Sequence, residues 1–113
     1  MSWFGGIIIK TDQSVPGGFE ELTVTDQSSW LQRGKIKPSS GEYAGMSAKA
    51  GLITLEGGDI RFRMDGLAPA TSTSGHYMSS GDTMLIIGTQ ALLQLRAIRV
   101  GEEDGLLTAT YFF

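Results

Sequence analysis

The sequence predicts an all-β fold, a two-sheet, jelly-roll-like sandwich of about eight strands, on three observations. Apolar and polar residues alternate with period two rather than recurring at helical spacing. The alternating bursts are short and are separated by glycine- and serine-rich punctuation, with 16 glycines in 113 residues. That length suits one domain with one modest core, so residues 1–113 are read as a single β-sandwich domain.

In chain order, Ile7 to Lys10 is a β-branched run, and Val15-Pro16-Gly17-Gly18 reads as a turn. Phe19 to Asp26 then sets Phe19, Glu21, Thr23 and Thr25 on one side of a strand and Glu20, Leu22 and Val24 on the other. Trp30 to Lys37 reads as an edge strand or extended loop, ending at Pro38-Ser39-Ser40-Gly41. Ala48 to Glu56, Gly57-Gly58 and Asp59 to Asp65 together predict a hairpin whose two glycines supply positive φ angles. In its second strand Ile60, Phe62 and Met64 share one face, and Arg61 and Arg63 the other.

Residues 67–75 have neither period and read as a long surface connection. His76 to Met78, Thr83 to Ile87 and Leu95 to Val100 are further strands, with one helical turn expected within 89–93. Glu102-Glu103-Asp104-Gly105 is a turn, and Leu106 to Phe113 is a final alternating strand.

Composition narrows the function. The apolar fraction of 41% and charged fraction of 19% are those of a globular chain. A net charge of -3 and a pI of about 5.0 give no overall positive field, so neither nucleic acid nor an anionic membrane is an expected partner. Cysteine is absent, which removes disulfides, thiolate nucleophiles and thiolate zinc sites. The apolar stretch Trp3 to Ile9 is too short to span a bilayer, has no basic n-region before it and is followed at once by Lys10, so neither a membrane segment nor a signal peptide is expected.

An enzyme would need a constellation, and His76 is the single histidine. Ser74, Ser79, Ser80 and Asp82 allow a Ser-His-Asp set to be written, but a triad is defined by geometry, and an exposed loop histidine is the plainer reading. Glu20-Glu21 and Glu102-Glu103-Asp104 read as solvated surface rather than paired catalytic carboxylates. No acidic spacing matches an EF-hand and no glycine pattern matches a phosphate loop, so no cofactor, no metal and no catalytic residue is expected.

What remains is surface suited to contact. Arg61 and Arg63 project from one strand face, and Arg96 and Arg99 lie further along; a solvated sheet face and arginines paired with acidic groups of a neighbouring subunit are both consistent with them. Aromatic residues gather at both ends, Trp3 and Phe4 at one and Tyr111, Phe112 and Phe113 at the other. Phe112 and Phe113 must point to opposite faces of a terminal strand, so a second layer or another chain has to cover Phe112. Together with Trp30, these residues form the candidate interface.

Residues 59–100 add a resemblance. Asp59-Ile60-Arg61-Phe62-Arg63-Met64-Asp65-Gly66, then Ala68-Pro69-Ala70-Thr71, then Gly81-Asp82 before an aliphatic strand, and Leu95-Arg96-Ala97-Ile98-Arg99 follow one another. This succession resembles the small β-sandwich virion proteins of tailed bacteriophages, over about half the chain. The first 45 residues carry no such pattern.

The resemblance implies a structural role in the virion, assembled in the host cytoplasm, with the chain itself as partner in a homo-oligomer, a trimer being favoured. The second partner would be the major capsid protein or another virion protein. Capsid decoration is the first expectation, and a head-to-tail or tail component the second. From the residues alone, a carbohydrate- or receptor-binding module using Trp30, Tyr43, Tyr77 or His76 is the alternative from a different class.

Overall fold

In the computed structural model the described residues are 14–66, 71 and 73–113, together with the backbone of two strands at 2–4 and 7–9. Those two, β1 (Ser2–Phe4) and β2 (Ile7–Ile9), pair antiparallel with each other and belong to neither larger sheet. The strands that follow are β3 (Pro16–Val24), β4 (Ser29–Trp30), β5 (Ala50–Gly57), β6 (Ile60–Arg63), β7 (His76–Met78), β8 (Thr83–Ile87), β9 (Arg96–Arg99) and β10 (Gly105–Phe112). Two short helices interrupt them, α1 (Arg33–Ile36) and α2 (Thr89–Gln94).

The eight later strands form two four-stranded antiparallel sheets, in the orders β3-β10-β5-β8 and β4-β9-β6-β7. The pairings β3 with β10, β4 with β9, β5 with β8, and β6 with β7 describe one long antiparallel ribbon closed at β6–β7. Folding that ribbon over brings β10 beside β5 and β9 beside β6. This winding is the jelly roll, and the expected two-sheet, all-β sandwich is what the chain forms.

Alternation decides what lies between the sheets. Val24, Ile53, Leu55, Ile86, Leu107 and Ala109 from the first sheet meet Ile60, Phe62, Met78 and Ala97 from the second. Leu31, Ile36, Ala48, Leu92 and Leu95 plug one end, where both helices lie. α1 was not expected: Ile36 is the one residue of Arg33–Ile36 that is buried, and a single apolar anchor leaves no helical period to read.

The predicted hairpin at Gly57-Gly58 is a corner instead, because β5 and β6 sit in different sheets and do not pair. Its two glycines do different work. Gly57 takes φ +75°, which disfavours any residue with a Cβ. Gly58 has no positive φ; it lies so close to the Glu103 backbone that a methyl group would overlap the Glu103 carbonyl oxygen. Gly58 N donates to Asp104 O at 3.0 Å and Val100 N to Asp59 O at 3.0 Å, which ties this corner to the one between β9 and β10. The expected turn at 15–18 is likewise overturned: Pro16 to Gly18 already belong to β3, with a register irregularity where Phe112 pairs with Pro16 and Tyr111 with Gly18.

Among the described residues one charged side chain is buried. Glu20 shares the inward parity of Leu22 and Val24 and is 4% exposed. Its carboxylate accepts from Tyr111 Oη at 2.7 Å and from Gln32 N at 3.1 Å. Glu20 therefore links β3, β10 and the entry to α1, and it is not the solvated surface acid the sequence suggested.

Candidate functional site

The surfaces open to contact, and the residues nominated for them, divide into three groups. Tyr111 and Phe113 are core residues, Phe113 stacking on Tyr43 with ring centroids 4.8 Å apart, so neither is a contact surface of the single chain. Phe112 is 6% exposed although it lies on the outer side of its sheet and is not part of the sandwich core. Of the two covers expected for Phe112, a second layer or another chain, its burial within the single chain agrees with the first. The side chains of Trp3 and Phe4 lie outside the described residues.

The second group is the outer face of β4-β9-β6-β7. Register places Trp30, Arg96 and Arg63 in one cross-strand row, and Ile98, Arg61 and Tyr77 in the next. The Arg96 guanidinium stands 5.2 Å over the Trp30 ring, and that of Arg61 stands 5.2 Å over the Tyr77 ring. Arg61 Nη1 also donates to Gly75 O at 3.0 Å, and Arg63 pairs with Asp65. The chain thus gathers three of its four sequence-nominated arginines, with two half-exposed aromatics, on one flat surface.

Arg99 is the exception. It has the parity of buried Ala97 rather than of Arg96, pairs with Ile60 in register, and donates from Nη1 to Asp104 Oδ1 at 2.6 Å. It fastens a corner of the sandwich and does not join the arginine face.

At the margin of that face, Asp59 accepts from Tyr77 Oη at 2.5 Å and from Ser80 N at 2.8 Å. The Tyr77 hydrogen bond first, and the Ser80 amide second, hold the Asp59 carboxyl below its ordinary range, while Asp59 holds the Tyr77 phenol above its own. Tyr77→Phe is expected to move the Asp59 titration midpoint upward. Carboxyl-detected NMR titration of the two proteins checks this.

The third group was not singled out from the sequence. On the outer face of β3-β10-β5-β8, Phe19, Thr110, Leu52 and Leu85 form one row, and Phe112, Ala50 and Ile87 the next. No charged side chain interrupts either row. Ile87 is 71% and Phe19 54% exposed, large apolar groups on the two edge strands of this sheet, whereas Leu52 and Leu85 are half-buried and Phe112 is buried. The signal was available: Leu85 and Ile87 share a parity opposite to that of buried Ile86. A cleft of about 760 Å³ borders this face, between Gly17-Gly18-Phe19 and the segment from Gln32 to Tyr43.

The alternative sites do not assemble. His76 is exposed and packs on Phe62 with ring centroids 5.3 Å apart, and it has no hydrogen-bond partner among the described residues. Asp82 Oδ2 instead accepts from Ser79 N at 2.8 Å, closing the turn between β7 and β8. Of the residues named for a glycan, Tyr43 packs on Phe113, apart from the sheet face that carries Trp30 and Tyr77. Among the described residues no three His, Asp or Glu side chains converge as a metal site would require. Comparison of the chain with protein-family models, with curated proteins and with solved structures finds no match.

Proposed function

We propose that this chain is a structural protein of a tailed-phage particle, a capsid decoration protein that self-associates and binds the capsid surface. The observation that carries the reading is the apolar outer face of β3-β10-β5-β8, where Phe19 and Ile87 are exposed and Leu52 and Leu85 partly so. Water contact with such a face is unfavourable by roughly 25 cal/mol for each Å² of apolar surface, and association of copies removes it. The resemblance of residues 59–100 to small virion sandwiches supplies the setting. The jelly roll itself is neutral here, because capsid, lectin and cupin domains all use it. On this reading the protein works through buried contact area, which stabilises whatever lattice it binds by mass action.

The test combines mass in solution with rebinding to capsids. The wild-type chain is expected to be an oligomer, with a trimer favoured, and to raise the thermal stability of capsids to which it is added. Ile87→Glu, together with Phe19→Ser, is expected to yield a folded monomer by light scattering and to lose capsid binding. A wild-type chain that is monomeric and does not bind capsids overturns the proposal.

A further inference from the structure

The arginine face carries three guanidiniums, Arg61, Arg63 and Arg96, against two carboxylates among the described residues, Asp65 beside Arg63 and Asp59 beside Tyr77. Arg96 and Arg63 are directly opposed in the β9–β6 register. Side chains so placed have Cβ atoms about 5 Å apart, and like charges there repel. Arg61 follows two residues from Arg63 on the same face. Asp65 answers Arg63, yet Arg96 has no carboxylate partner among the described residues and rests on the Trp30 ring alone. In a chain of net charge -3 this face thus keeps a positive excess, at Arg96.

A solvated face has no need of this arrangement. Exchanging either Arg63 or Arg96 for a neutral residue would relieve the repulsion, whereas an anion placed between the two guanidiniums would satisfy both. Guanidinium forks match carboxylates in bidentate geometry, and cation–π contact holds the Arg96 and Arg61 forks in place before any ligand arrives.

Two features select the kind of anion. The overall negative charge opposes a polyphosphate chain, which would meet repulsion beyond this one face. The surface is a flat sheet of Trp, Tyr and Arg, the three residues that dominate the energetic centres of protein interfaces.

We propose that the outer face of β4-β9-β6-β7 is a docking surface for a carboxylate-rich segment of another protein. Arg96 and Arg63 grip a shared Asp or Glu, Arg61 takes a second, and Trp30 and Tyr77 flank the contact. This deepens the assembly reading, on which it rests, by stating the chemistry of the partner.

The probe is a synthetic peptide of alternating Glu and Thr, added to the full-length protein with NMR detection at the Trp30 indole and arginine side-chain groups. Expected are shifts confined to Trp30, Arg61, Arg63 and Arg96, binding that weakens as salt is raised, and a loss of about tenfold or more in affinity for Arg96→Gln and for Arg63→Gln. The thermal midpoint of Arg96→Gln is expected to equal or exceed that of the wild type, which a structural arginine would not allow.

Ile87→Glu is expected to leave peptide binding intact, so failure of self-association and failure of this inference give different results. Absence of binding at millimolar peptide overturns the inference, as does a lowered thermal midpoint in Arg96→Gln. Tighter binding of a single-stranded oligonucleotide or a sulfated glycan than of the acidic peptide also overturns it.

Discussion

Glu20→Ala is expected to destabilise the protein by about 2 to 5 kcal/mol, the combined cost of one buried and one part-buried donor left without an acceptor and a cavity where the carboxylate stood. The Tyr111 hydroxyl meets Glu20 in a buried setting, where it finds no replacement acceptor, and the part-buried Gln32 amide loses its partner as well. Glu20→Gln retains an acceptor of similar shape and is expected to lose less than Glu20→Ala. Chemical denaturation of the three proteins, with midpoints compared at constant slope, checks the order.

The same node gives the protein an alkaline limit. Burial first, and the Glu20 hydrogen bond second, raise the Tyr111 phenol far above its ordinary value near 10. At pH above about 10 the unfolded chain loses the Tyr111 proton while the folded chain keeps it, so the unfolded state binds fewer protons. Stability is therefore unaffected by this group below about pH 10 and falls as pH rises beyond it. Tyr111→Phe is expected to be less stable at neutral pH but to show a shallower alkaline decline. Denaturation at several pH values from neutral to alkaline measures both.

Gly58→Ala is expected to cost on the order of 2 to 4 kcal/mol, more than a surface substitution and comparable to a core deletion. The added methyl group would meet the Glu103 carbonyl oxygen, which is backbone and cannot rotate away as a flexible side chain would. Relief requires the β5–β6 and β9–β10 corners to separate, which breaks the bonds from Gly58 N to Asp104 O and from Val100 N to Asp59 O. Gly101→Ala, on the second corner but facing open space, is the matched control and is expected to change stability little. Thermal unfolding of both variants decides the matter.

Much of this architecture was legible because alternation is a local property. Ile60 and Phe62 inward against Arg61 and Arg63 outward, and the alternating final strand, can be read residue by residue. Sheet membership cannot. A pair of glycines after a strand looks the same whether the chain folds back on itself or crosses to the opposite sheet, and only the pairing of β5 with β8 and β10 distinguishes the cases.

Glu20 was misjudged for a related reason. It has the parity of Leu22 and Val24, but its acceptor role depends on Tyr111, 91 positions away. The arginine face was half visible. Arg61 and Arg63 declare their side through Phe62, whereas separating Arg96 from Arg99 required attention to buried Ala97 between them, and the partnership with Trp30 came only from register.

The ribbon winding also governs how the molecule comes into being. Its one local pairing is β6 with β7; β3 waits for β10, which begins 81 residues after β3 ends and lies between β3 and β5 in the finished sheet. Such non-local pairing makes folding slow compared with helical proteins of this size. A nascent chain that has not yet reached Gly105 lacks the strand joining β3 to β5, so the first sheet cannot close during synthesis. Loss of the last nine residues would therefore remove the middle of a sheet rather than trim an end, and the stretch from Gly105 to Phe113 is where a premature stop would do the most harm for its length.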